Sequence, residues 1–265
     1  MIPRSFLALC GWCFALPAAA LLIRPDRDDS EYVELASRYT SSVLLNAPDG
    51  EGVLIASRWV LTAAHMARAL QEMKSLPRLG IGAREYEILS LHLHPDWKRG
   101  GPADIALLLL KEHVKGVDPT PIYRDQDEAG KPVVIVGHGL TGKIGGKPLP
   151  RASWDRKKRA AINTVDRVSP RTLGILIKPP EEASDLQGAA APGDSGGPAY
   201  LQTAQGLFVA GIGYATDDTN ADGIVGNVGD WEIYARVSAF AGWIEAVMTD
   251  VALKEADALM GEFTR

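Results

Sequence analysis

Over most of the chain, short apolar stretches alternate with polar positions and are broken every few residues by Gly, Pro, Asn or Asp. Period-two alternation over such short runs predicts strands, because successive side chains point to opposite faces. Strands are expected over residues 41–46, 52–57, 79–83, 85–93, 131–137, 160–168, 172–177, 206–214 and 232–237. A turn at 47–50 joins the first two, and loops are expected at 139–150 and 179–188. Residues 59–64 read as an apolar strand ending in small residues just before His65, and residues 105–110 form a wholly apolar strand after Asp104. The charged segment 23–37 is expected to run over the surface. Near the end, Phe240, Trp243, Ile244, Val247 and Val251 follow helical spacing, so a helix is expected from Ser238 to about Met260. Short strands with frequent turn signals favour an all-β sandwich or barrel over βαβ units. A polar, proline-bearing connector around residues 119–130 divides the chain. The expected organisation is a barrel over 23–124, a second over 125–237, and a helix with tail over 238–265.

The 265 residues can bury a substantial core. The formal net charge of −5 and the short basic cluster Arg156, Lys157, Lys158 and Arg159 argue against nucleic acid as partner; the cluster reads as a solvated loop face. Residues 1–20 read as a secretory signal: Arg4, an apolar run over 6–16, then Ala18, Ala19 and Ala20 before a cleavage site. Both cysteines, Cys10 and Cys13, fall inside it, so the exported chain would carry no disulfide. That pattern points to a secreted or periplasmic protein of bacterial origin, with no membrane attachment after cleavage.

Candidate chemistry centres on Pro192-Gly193-Asp194-Ser195-Gly196-Gly197-Pro198. Glycines on both sides of a serine leave its hydroxyl exposed and its backbone N–H groups approachable. A serine hydroxyl is a poor nucleophile until a base takes its proton, and the base needs an acid to fix its tautomer. His65 follows Thr62, Ala63 and Ala64, which leave room around an imidazole, and Asp104 stands at the mouth of an apolar strand. A carboxylate buried there needs a partner. Together His65, Asp104 and Ser195 supply base, orienting acid and nucleophile, and the N–H groups of Gly193 and Ser195 supply an oxyanion site.

The segments Leu-Thr-Ala-Ala-His (61–65), Asp-Ile-Ala-Leu (104–107), Gly-Asp-Ser-Gly-Gly-Pro (193–198) and Tyr-Ala-Arg-Val (234–237), followed by Trp-Ile (243–244), resemble the chymotrypsin/trypsin-like serine proteases. The resemblance runs from about residue 23 to 247 and includes the order His, Asp, Ser. It implies two six-stranded antiparallel β-barrels with the site in the cleft between them, and hydrolysis of protein or peptide substrates through an acyl-enzyme by a monomer. Other hydrolase orders fail. Residues 193–197 also fit the Gly-x-Ser-x-Gly elbow of esterases, but that order needs a histidine after the serine and none follows Ser195. A catalytically inert binding protein on the same fold is the remaining alternative.

The chain departs from the family at two places. The resemblance implies an activation ion pair on Asp194 from a freed Ile-Val terminus, but no Arg/Lys-Ile-Val-Gly-Gly stretch exists. Ile23 lies 42 residues before His65, so a terminus at or near Ile23, or else Arg24, is expected to pair with Asp194. In the substrate pocket the family positions fall on Ala189, Tyr214, Thr216 and Glu232. Either Glu232 reaches into the pocket and favours Arg/Lys side chains, the preferred reading, or Ala189 and Thr216 leave a small pocket with Glu232 turned to a neighbour. No cofactor is required. Asp218, Asn220 and Asp222 resemble half of a calcium loop, but Gly229 stands where its glutamate belongs, so a plain polar turn is favoured. His92 and His94, two apart on a strand, lack a third ligand for a metal.

Overall fold

The structure is a computed structural model that describes residues 21–46, 49–75, 78–146, 155–219 and 221–263. The expected signal with Cys10 and Cys13 lies outside the described residues, as does Asn220. In chain order the elements are β1 (Leu22–Ile23), α1 (Asp29–Ala36), β2 (Ser42–Asn46), β3 (Asp49–Ala56), β4 (Trp59–Thr62), α2 (Ala64–Gln71), β5 (Arg78–Ile81), β6 (Arg84–Leu93) and β7 (Ala106–Leu110). They continue with β8 (Pro132–Gly137), β9 (Gly142–Lys143), β10 (Arg159–Thr164), β11 (Arg167–Val168), β12 (Thr172–Leu176), β13 (Gly188–Ala189), β14 (Pro198–Thr203), β15 (Gly206–Asp217), β16 (Trp231–Arg236) and α3 (Val237–Phe263).

Strands β2-β3-β4-β7-β6-β5 close into a six-stranded barrel. Its interior is filled by the alternating apolar residues of these strands, including Val53, Leu61, Leu79 and Leu107. β7 is buried at all of its positions, which explains why it lacks a polar face. The second half is a seven-stranded sheet, β10-β8-β14-β15-β16-β12-β11. It curls into a half-barrel, where a second six-stranded barrel was expected. The all-β expectation holds, with α3 at the end.

Most of the segment 23–37 lies at the surface as expected, residues 25–31 being exposed or half-buried, but its start is not. Leu21, Leu22 and Ile23 are buried, and β1 pairs antiparallel with β13 and parallel with β9. In α1, Tyr32 is fully buried; its hydroxyl accepts the Arg24 N–H at 3.2 Å and donates to Gln187 O at 2.9 Å. The charged face of this segment hid three apolar residues that complete the second half. Arg159 is likewise buried, not solvated: Asp29 and Asp155 bind its guanidinium at 2.6–3.0 Å. Burial of a cation is tolerated because two carboxylates compensate it.

Helix α3 starts one residue earlier than expected and buries Phe240 and Ile244 against the body, with Trp243, Val247 and Val251 packed beside them. Arg58, in the β3–β4 turn, grips Glu255 of this helix at 2.9 and 3.0 Å. Among the described residues no helix is long and apolar enough to cross a membrane.

Candidate active site

β4 is buried at every position and ends at Thr62. Ala63 is extended, with φ −74° and ψ 145°, and α2 starts at once, so His65 sits in the first turn of a helix. Small residues allow this sharp join: Ala63, Ala64 and Ala67 are all buried there. Asp104 precedes β7, the neighbour of β4, and is only 3% exposed. It is not a surface cap. Its Oδ1 accepts the His65 backbone N–H at 2.8 Å, and its Oδ2 lies 2.9 Å from His65 Nδ1. The carboxylate therefore grips both the main chain and the ring of one histidine. The imidazole remains 32% exposed.

The serine turn connects β13 to β14. Gly193 and Gly196 take positive φ values of 107° and 89°, which side-chain-bearing residues rarely adopt. A Cβ on Gly196 would lie 2.2 Å from Glu51 O, 2.3 Å from Thr62 Oγ1 and 3.2 Å from Ala63 N. The turn thus abuts the strand end that presents His65. Ser195 O accepts the Glu51 N–H at 2.8 Å, and Gly196 N–H donates to Gly213 O at 2.7 Å. Ser195 itself is half-buried. Among the described residues no protein acceptor takes the N–H of Gly193 or Ser195.

Asp194 is buried in the second half. Its Oδ1 accepts the Gly139 N–H at 3.4 Å and its Oδ2 accepts the Ala191 N–H at 3.0 Å. Burial, and next the charge of Glu51, raise its pKa well above the usual carboxylate range. Arg24 is not its partner: the guanidinium binds Asp26 at 2.8 and 2.9 Å. Ile23, the last residue of β1, is paired with Gly188 and Lys143.

The four pocket residues fall in two groups. Tyr214 lies on β15 near Asp104; burial, then the Asp104 charge, push its hydroxyl up to about 12. Thr216 of β15 faces Glu232 of β16 in register, and its hydroxyl donates to Glu232 Oε1 at 3.2 Å. Glu232 is 1% exposed and also accepts the Ala190 N–H; burial pushes it up to about 8. Ala189 is buried on β13 opposite Leu22. A Cβ on Gly226 would lie 2.3 Å from Leu22 Cδ1 and 4.0 Å from Ala189 Cβ, so Leu22 packs into this wall.

Around the expected calcium turn, Asp218 Oδ2 accepts the Gly223 N–H at 2.9 Å and Asp222 Oδ1 accepts the Ile224 N–H at 2.8 Å. His92 packs on Trp59, and His94 packs edge-on against Phe240 and Trp243. Among the described residues no group of three or more His, Cys, Asp or Glu side chains is arranged to hold a metal. Two further pieces of the site carried no motif. Glu51 and His138 meet beside the serine turn, and Leu22 of the buried stretch 21–23 packs against Ala189. The apolar triplet 21–23 ahead of a charged run was the available signal for the second.

A family model described as Trypsin matches residues 30–244. The chain is 30% identical over 228 residues to serine protease Hayan of Drosophila melanogaster, covering 74% of this chain and 34% of that protein. It is 29% identical over 231 residues to phenoloxidase-activating factor 3 of Holotrichia diomphalia, covering 73% and 62%. Serine protease SP24D of Anopheles gambiae is 30% identical over 217 residues, covering 77% and 73%. The chain therefore spans about a third and about three fifths of the length of the first two. These relatives are insect proteins, so the expectation of a bacterial origin finds no support. Fold, serine turn and family match agree: the chain belongs to the trypsin-like serine protease family.

Proposed function

We propose that the chain is a secreted serine endopeptidase that uses His65, Asp104 and Ser195 on protein or peptide substrates. The double grip of Asp104 on His65 carries this reading. With Nδ1–H donating to Asp104, the lone pair of Nε2 is free to take the Ser195 proton. Ser195 Oγ then attacks the scissile carbonyl, and the Gly193 and Ser195 N–H groups receive the oxyanion. His65 returns the proton to the leaving amine, and water repeats the sequence on the acyl-enzyme. Labelling by a fluorophosphonate tests it. Wild type should react and Ser195→Ala should not; folded wild type that neither reacts nor cleaves a peptide library would leave an inert binding protein on this fold.

The direction of β1 supports an activating terminus near Ile23. β1 runs parallel to β9, with Leu22 opposite Gly142. One step back, Thr141 Oγ1 donates to Leu21 O at 3.4 Å. The same direction leads toward Gly139, whose N–H reaches Asp194. Removal of the signal after Ala20 would leave the α-amine of Leu21 heading for that buried carboxylate. Leu21, two residues before Ile23, is then the activating terminus.

For the substrate side chain, the reading remains a lean to Arg/Lys. Among the described residues no cation faces the buried Glu232, and a buried carboxylate is stabilised by one. The Thr216 contact favours the second reading, a small pocket with Glu232 turned aside. Cleavage of Ala/Val peptides with Arg/Lys peptides untouched would select it.

A further inference from the structure

Glu51, on β3, is fully buried at the junction of the two halves. Its N–H holds Ser195 O at 2.8 Å, and its own C=O accepts the Thr62 hydroxyl at 2.6 Å. Its carboxylate crosses into the second half. There Oε1 accepts the His138 backbone N–H at 2.7 Å, and His138 Nδ1 lies 3.1 and 3.0 Å from the two oxygens. His138 stands between two glycines that both abut Asp194. Gly139 N–H donates to Asp194 Oδ1, and a Cβ on Gly137 would lie 1.9 Å from that same atom. The serine turn is therefore held by Glu51 on one side and by Asp194 on the other. The contact between Glu51 and His138 joins the two supports.

We propose that Glu51 and His138 are positioning residues for Ser195, fixing the turn between the first barrel and the Gly137–Gly139 segment. This rests on the protease reading above. Apolar side chains could fill such a junction at lower cost, since a buried carboxylate carries a large desolvation penalty. Hydrogen bonds to a carboxylate, unlike apolar contact, fix direction as well as distance. Here the direction matters, because the same residue that receives them also holds the nucleophile's carbonyl. The titratable groups facing Glu51 are His138 after β8, Lys158 before β10 and Asp194 in the turn itself. Two carboxylates so close in a buried site raise each other's cost, and His138 offsets that of Glu51.

The test compares wild type, Glu51→Gln, His138→Gln and the double variant on a peptide anilide, with folding followed by thermal melting. Each single variant is expected to lower kcat by roughly 10- to 100-fold with KM held within about twofold, as for loss of transition-state alignment. Fluorophosphonate labelling of Ser195 should slow in step. The double variant should lose little more than the worse single, since the contact between the two side chains is shared. A folded single variant with wild-type kcat, or losses that multiply in the double variant, would overturn the inference. If Glu51→Gln does not fold, His138→Gln decides alone, because its ring is partly exposed. An inert, unlabelled wild type overturns the protease reading and this inference together; an active wild type with unaffected variants overturns the inference only.

Discussion

Thr216 and Glu232 face each other across the β15–β16 pair, and the threonine hydroxyl donates to the glutamate at 3.2 Å. Among the described residues this neutral partner leaves a buried carboxyl group without a cation. Its pKa of about 8, against an ordinary 4.5, follows from burial.

The sign of the pH effect is fixed by that shift. The folded state binds the Glu232 proton more tightly than the unfolded chain does, so the stability it contributes is complete below pH 4.5 and lost as pH rises through about 8. Glu232→Gln removes the dependence. Relative to wild type, the variant should gain on the order of 4 kcal/mol between those two limits. Urea unfolding at both pH values measures it. An unchanged difference would mean that a cation already neutralises the group.

A small amidinium ligand extends the same argument. If the Arg/Lys reading holds, benzamidine binding should release a proton from Glu232 below pH 8 and strengthen as pH rises toward it. Calorimetry in two buffers of different ionisation enthalpy reads the proton. Binding without proton release would favour the small-pocket reading.

Asp104→Asn keeps an acceptor for the His65 backbone N–H but presents an amide to Nδ1. The imidazole then shifts to the tautomer that cannot take the serine proton. kcat should fall about 10⁴-fold with little change in KM or in melting temperature. Steady-state kinetics checks it, and a loss below tenfold would deny Asp104 the orienting role.

Gly196→Ala meets backbone on two sides, with Glu51 O at 2.2 Å and Ala63 N at 3.2 Å, in a conformation of φ 89°. Neither strand can retreat without opening the join between halves. The substitution should cost about 3 kcal/mol or more and abolish labelling of Ser195. Chemical denaturation and fluorophosphonate reaction report the two effects.

Retaining one extra residue before Leu21 would replace a charged amine with an amide. Asp194 would then remain buried without a cation, and activity should fall by roughly tenfold or more while the melting temperature drops. N-terminal sequencing of active wild type, paired with assay of the extended form, measures this. Full activity in the extended form would end the role given to Leu21.

Much of this protein was legible from local pattern. The apolar positions gave most strands of the closed barrel to within a few residues, as alternation where one face is covered, in β6, and as an unbroken run where both are, in β4 and β7. Helical spacing gave α3 because it too has one covered face. The residues of the serine turn and His65 stood out because glycine and alanine free the space that a reactive side chain needs. The buried N-terminal triplet was masked by its charged neighbours, since pattern cannot tell an apolar residue that pairs with a distant strand from one that lies on a surface.

What the sequence by itself determined was an all-β chain with its candidate chemistry distributed over three remote segments. Only tertiary structure decided what those segments touch. Asp104 meets His65 because β7 pairs with β4, and Glu51 meets His138 because two halves close over one turn. The physical reason is that burial and hydrogen-bond partners belong to the packed chain: a carboxylate becomes an orienting acid, a clamp or a proton-holding group according to what surrounds it, and those surroundings come from residues far away in sequence.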